Sequence, residues 1–133
     1  MKQVVLDTSS LVRFFTNDIP DKAIKVKKLI LSGSNLYVPD VVLVELEYVL
    51  SGKIYKLERS AIVKILEYLA ISPNISITTT AQKAIFLYKI SRLDLGDCFV
   101  AAHALEKGEL FTFDKKLTKL YEKGKKTGYL KPT

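Results

Sequence analysis

Four acidic residues, Asp7, Glu45, Asp97 and Asp114, stand at positions where carboxylates could act together. Asp7 closes the short apolar run of residues 3–6, and Asp114 closes another, residues 110–113. Glu45 lies inside Val41-Val42-Leu43-Val44-Glu45-Leu46, where solvation alone is a poor account of a charge. Asp97 opens an apolar stretch that leads toward Asp114. Carboxylates gathered in one place repel each other, and burial adds to the cost, so such a group calls for a cation. Oxygen-only ligation selects hard divalent ions, Mg²⁺ or Mn²⁺. One or two such ions can hold a phosphodiester, activate a water and stabilise the leaving oxygen. Repulsion in the empty site also predicts that Asp7→Asn raises stability when metal is absent. Taken singly, each acid has a plainer reading as a helix cap or a solvated charge.

The elements that must position these acids alternate between strand and helix. Residues 3–6 form a strand ending in Asp-Thr-Ser-Ser, a cluster suited to capping a helix over residues 11–15. Pro20 and Asp21 start a second helix through Ile30, with Ala23, Val26, Leu29 and Ile30 on one face and Gly33 as its stop. Residues 36–38 read as a strand. Pro39-Asp40 then opens a helix carrying Val42, Leu46, Val49 and Leu50. Residues 58–71 show a clear stripe in Ile62, Ile65, Leu66 and Leu69. A turn at Pro73-Asn74 leads to a strand over 75–78, then helices over 80–91 and 95–107, the latter ended by Gly108. Residues 110–113 read as a strand, 114–121 as a short helix, and 129–130 as an edge strand. This alternation predicts an α/β fold: a three-layer α/β/α sandwich around a mostly parallel sheet of four to five strands. In such sheets ligands bind beyond the C-terminal strand ends, where Asp7 and Asp114 fall.

The chain has 133 residues, 48% of them hydrophobic, which suits a single domain over residues 1–133. Its apolar runs are too short to span a bilayer, it starts directly on a strand without signal-peptide architecture, and its one cysteine, Cys98, has no internal partner. These features read as soluble and cytoplasmic. The net charge is +7, and from Lys107 onward eight lysines face three acids. A basic surface favours a polyanion through counterion release. Lys115, Lys116, Lys119, Lys123, Lys125 and Lys126 are close enough to Asp114 in sequence to reach phosphates beside it, although a solvated lysine-rich helix explains them as well.

Val5-Leu6-Asp7-Thr8-Ser9-Ser10-Leu11, Val44-Glu45-Leu46, Asp97-Cys98-Phe99-Val100-Ala101-Ala102 and Phe111-Thr112-Phe113-Asp114-Lys115 resemble, in order, the four motifs of PIN domains. The resemblance covers the whole chain, at a length similar to the VapC-like toxins of type II toxin–antitoxin pairs. It implies a PIN-like sheet of order 3-2-1-4-5. It also implies Mg²⁺- or Mn²⁺-dependent cleavage of RNA, a water activated by metal on Asp7, Glu45, Asp97 and Asp114, a homodimer and an antitoxin partner. Ser9 and Thr112 resemble the family's hydroxyl positions and would hold a water or orient a carboxylate; capping for Ser9 and strand propensity for Thr112 explain them equally. Asp94, three residues before Asp97, is first a helix N-cap and only secondarily a ligand. Cys98 stands where alanine is common. The stretch from Lys53 to Arg59 leaves room for only a small clip-like element. Tyr48, Tyr55 and Tyr68 are candidates for a dimer surface.

Other chemistries fit less well. The only histidine, His103, lies five positions from Cys98, about 140° around one helix, so the two form no dyad. No G-x-G-x-x-G or G-x-x-x-x-G-K-[ST] follows the first strand. A haloacid-dehalogenase-type phosphatase would want an acid two residues after Asp7, where Ser9 stands, and a receiver-like module would want adjacent acids near the first strand. A non-catalytic RNA-binding or scaffold PIN domain often lacks one or more of the acids, and all four are here.

Overall fold

The computed structural model describes residues 2–127, and the fold is α/β, with seven helices and a parallel sheet among those residues. The chain divides into two compact units, Met1–Ile77 and Thr78–Thr133.

The first unit contains β1 (Val4–Val5), α1 (Thr8–Thr16), α2 (Pro20–Leu31), β2 (Leu36–Tyr37), α3 (Asp40–Ser51), α4 (Arg59–Ile71) and β3 (Ile75–Ser76). The strands are parallel in the order β1-β2-β3, with Val4 opposite Leu36 and Leu36 opposite Ile75. Ladder bonds extend past these short spans: the Leu6 N–H donates to Tyr37 O at 2.9 Å, and the Val38 N–H to Ser76 O at 3.1 Å. This matches the 3-2-1 half of the expected sheet. The helices were set by their apolar stripes. Leu43, Leu46 and Leu50 of α3 and Leu66 and Leu69 of α4 are fully buried, as are Leu36 and Val38 on the sheet. Pro20 occupies the first turn of α2, where its missing N–H costs nothing. Gly33 follows that helix with φ 78°, a conformation glycine adopts without strain.

The second unit holds α5 (Thr79–Lys89), α6 (Leu95–Lys107) and α7 (Lys115–Thr127). Ala81 and Ala84 on α5 and Ala101, Ala102 and Ala104 on α6 are buried. Small side chains let helix backbones approach closely, and Tyr88 and Leu95 fill the remaining space. Gly124 of α7 is buried too. A Cβ placed there would meet Leu105 Cδ1 at 2.8 Å and Leu87 Cδ2 at 3.3 Å.

Two expectations change. Residues 110–113 form no strand among the described residues; Phe111 and Phe113 are exposed and pack edge-to-face on each other at 5.5 Å. A short apolar run suits a strand, but a strand also needs ladder partners, and the run is silent about those. The helix after Asp114 runs six residues past the expected end, because Leu117, Leu120, Tyr121 and Gly124 make one continuous buried stripe. The edge strand expected at 129–130 lies outside the described residues. No helix among those described is long and apolar enough to cross a membrane.

Candidate active site

In the first unit, Asp7 follows β1 and is the N-cap of α1. Its Oδ1 accepts from the Ser10 N–H at 2.9 Å and from the Ser9 hydroxyl at 2.9 Å. The Ser10 backbone bond, with the Ser10 and Ser9 side chains, holds this carboxyl below the usual carboxylate range. The cap thus favours the Asp7 anion, which weighs against the expectation that repulsion makes Asp7→Asn stabilising, since the substitution removes a favourable charge from a helix N-terminus. The adjacent Thr8 donates its hydroxyl to Glu45 Oε1 of α3 at 3.2 Å. That bond ties the first and second acidic positions into one local group.

Glu45 itself is exposed. Leu43 and Leu46 flank it and are buried, yet Glu45 sits about 200° around the helix from Leu43, on the outward side. Solvation therefore does account for its charge, contrary to the sequence argument. The buried acid of α3 is Glu47, which is 8% exposed and was not singled out from the sequence. The signal was present: Leu43, Leu46, Glu47 and Leu50 fall at i, i+3, i+4 and i+7. Tyr55, a candidate for a dimer surface, has partners within the chain. Its hydroxyl donates to Asp18 Oδ2 at 2.6 Å, and Arg13 Nη1 donates to the same oxygen at 3.0 Å. The Tyr55 hydroxyl foremost, with Thr16 and the Arg13 charge, lowers the Asp18 carboxyl below its ordinary range.

In the second unit, Asp94 is the N-cap of α6, its Oδ1 accepting from the Asp97 N–H at 2.8 Å. Asp97 thus falls in the first turn, beside that cap. Burial, followed by the charges of Asp94 and Asp114, raises the Asp97 carboxyl above its ordinary value. Asp114 takes the capping position for α7: its Oδ1 accepts from the N–H groups of Lys116 at 2.9 Å and Leu117 at 3.3 Å. Thr112 turns its hydroxyl to the Asp114 N–H at 3.0 Å, so it holds the backbone of that residue and not its carboxylate. Cys98 is buried, and His103 is exposed one and a half turns further along α6.

The structure thus joins Asp7 with Glu45 through Thr8, and Asp97 with Asp94 and Asp114 through mutual repulsion. Within neither unit do three histidine, cysteine or acidic residues among those described gather closely enough to hold a metal ion. The acids of each group offer carboxylate oxygens, donors that fit a hard divalent ion. Mg²⁺ in particular takes one or two protein carboxylates and keeps its waters.

Compared with known families, residues 4–123 match the PIN domain. No curated protein and no solved structure matches the chain.

Proposed function

The chain belongs to the PIN domain family, whose members are generally nucleases, and from that premise we propose that it is a divalent-metal-dependent endoribonuclease, the toxin of a toxin–antitoxin pair. The observation that carries the reading is the family match over residues 4–123, and beside it stands Asp97. Its carboxyl is raised by burial and by two neighbouring carboxylates, the condition expected of an acid placed to share a cation. Asp7, Glu45, Asp97 and Asp114 are the residues that would hold the ion, Mg²⁺ or Mn²⁺. A bound ion of this kind supplies Lewis acidity toward a phosphodiester.

The chain's own groups supply orientation. Ser9 and Ser10 fix the Asp7 carboxylate through Oδ1, Thr8 fixes Glu45, and the first turn of α7 fixes Asp114. These three acids are thereby oriented before any ligand arrives, which lowers the reorganisation needed for chemistry. A site of this charge also suits an antitoxin that inserts an arginine or lysine among the carboxylates, since charge-assisted bidentate contacts to carboxylate are strong. A homodimer in the cytoplasm completes the proposal.

The test is cleavage of a mixed RNA pool by the purified chain with Mg²⁺, with Mn²⁺ and with EDTA, beside Asp97→Asn. Cleavage that needs the ion and Asp97 supports the reading. RNA bound but uncut with either ion would leave a non-catalytic RNA-binding or scaffold PIN domain in its place. If cleavage holds but expression in a host lacking the neighbouring genes is harmless and no small protein co-purifies, the toxin role falls and the nuclease remains.

A further inference from the structure

The second unit contains a cavity of about 390 Å³ whose lining combines four cations with an apolar floor. Arg92 comes from the turn between α5 and α6, and Lys116, Lys119 and Lys123 from α7; Ile90, Leu93 and Leu120 provide the apolar surface, and Ser91 completes it. The three lysines fall at i, i+3 and i+7, a single helix face. No acidic side chain is among the described lining residues, and none of the four cations forms an ion pair among the described residues. Lys123 is held in place, donating its Nζ to the Ile90 carbonyl at 3.0 Å. Like charges on one helix face repel, so this arrangement is one that a polyanion relieves.

Its neighbours are informative. The N–H of Lys116 is bonded to Asp114 Oδ1, and Leu93 immediately precedes Asp94, the cap whose carboxylate raises Asp97. The cationic cavity therefore adjoins the acidic group of the same unit. We infer that this cavity is the subsite for a single-stranded RNA segment beside the cut, with phosphates on Arg92, Lys116 and Lys119 and a base or ribose against Leu93 and Leu120. The inference rests on the ribonuclease reading for what happens next to it, but its binding claim is separable. Cations over an apolar floor are what a single strand requires, because its bases are free to leave the stack while its phosphates stay charged. The remaining C-terminal lysines are differently employed: Lys125 lies 5.1 Å from the centre of the Tyr121 ring, and neither Lys115 nor Lys126 lines this cavity.

The experiment measures the affinity of a labelled twelve-nucleotide oligouridine RNA by anisotropy, in EDTA, across a salt series. Arg92→Ala/Lys119→Ala is compared with Lys115→Ala/Lys126→Ala, which removes the same charge from outside the cavity. Lys119→Arg serves as the charge-preserving control. Each lost phosphate contact on a single strand flattens the log–log salt slope by about 0.7, so the lining pair should flatten it by about 1.4. The outer pair should change it by less than half as much, and Lys119→Arg should leave it near the wild-type value. Equal slopes for the two double variants would overturn the inference, since diffuse charge would then suffice. Displacement of the RNA by equimolar uridine monophosphate, or by polyglutamate at matched charge, would also overturn it, marking a small-ligand pocket or a general anion surface. Cleavage is scored separately. A chain that cuts RNA while the two slopes coincide loses this subsite and keeps the nuclease; one that cuts nothing while the slopes separate does the reverse.

Discussion

Asp7 carries two roles that a pair of substitutions can separate. As N-cap of α1 it accepts from the Ser10 N–H, and as an anion it faces the positive end of that helix. Losing the cap altogether costs about 1 kcal/mol, and the charge alone about 0.3–0.5 kcal/mol at an exposed site. A chain of 133 residues has a melting entropy near 0.28 kcal/mol/K at about 2.1 cal/mol/K per residue, so 1 kcal/mol is worth about 3–4 °C. Asp7→Ala should therefore melt about 4 °C below wild type. Asp7→Asn, whose amide oxygen caps almost as well, should melt only about 1–2 °C below it. The pH dependence has a definite sign. Because the folded carboxyl is held below its unfolded value, the charge contributes above about pH 3.9 and is lost as pH falls through the lower folded value. The gap between wild type and Asp7→Asn must close in that acid range. Cleavage by Asp7→Asn should fall by on the order of 100-fold or more, far beyond what a shift of 1–2 °C could cause. Calorimetric melts in EDTA from pH 3 to 8, beside single-turnover RNA cleavage with Mn²⁺ at pH 7, measure both. An Asp7→Asn protein more stable than wild type at pH 7 would refute the capping account. One that cuts RNA at the wild-type rate would refute the assigned role.

Asp97→Asn should behave oppositely in the absence of metal. A raised carboxylate pKa means stability present below the unfolded value and lost as pH rises through the folded one, so at pH 7 the neutral side chain should gain up to about 0.5 kcal/mol from relieved repulsion, partly offset by the helix dipole. Wild type should gain melting temperature with 10 mM Mg²⁺ or Mn²⁺, and Asp97→Asn should lose most of that gain; calorimetry with and without the ion decides both points. Gly124→Ala should be close to neutral, because its Cβ meets the end of the half-buried Leu105 chain and helix propensity compensates, whereas Gly124→Val should cost about 2 kcal/mol by overpacking, both read from denaturant midpoints.

The helices of this protein were the legible part, for identifiable reasons. The Ile62-Leu66-Leu69 stripe set α4 to within a residue at its start, and Pro20 and Asp40 marked the openings of α2 and α3. What failed was information the local pattern does not contain. Residues 110–113 are apolar as a strand can be, but an apolar run names no partner. The expected helix end at Tyr121 misses Gly124, which lies under the side-chain ends of Leu105 and Leu87, where a side chain much larger than alanine would crowd α7. Arg92 had no signal at all in its turn; only the placement of α7 beside it gives it company.

The acids were recognisable in sequence while their competing readings could not be ranked, and one physical reason is that capping a helix does not exclude a carboxylate from also serving as a ligand. A carboxylate has two oxygens and about four acceptor sites. Asp7 accepts through Oδ1 from the Ser9 hydroxyl and the Ser10 N–H, with the Ser10 side chain also acting on its carboxylate, and Asp114 accepts through Oδ1 from Lys116 and Leu117, its Oδ2 taking part in no hydrogen bond among the described residues. The helix terminus thus fixes the rotamer through one oxygen and presents the other. Capping is then a means of orienting such an aspartate, whose second oxygen a serine or threonine hydroxyl lacks. An asparagine keeps the capping oxygen and replaces the presented one with an amide that cannot ligate a cation. For Asp7 and Asp114, then, folding and chemistry must part company on Asp→Asn substitution. A purely structural acid would show no such division.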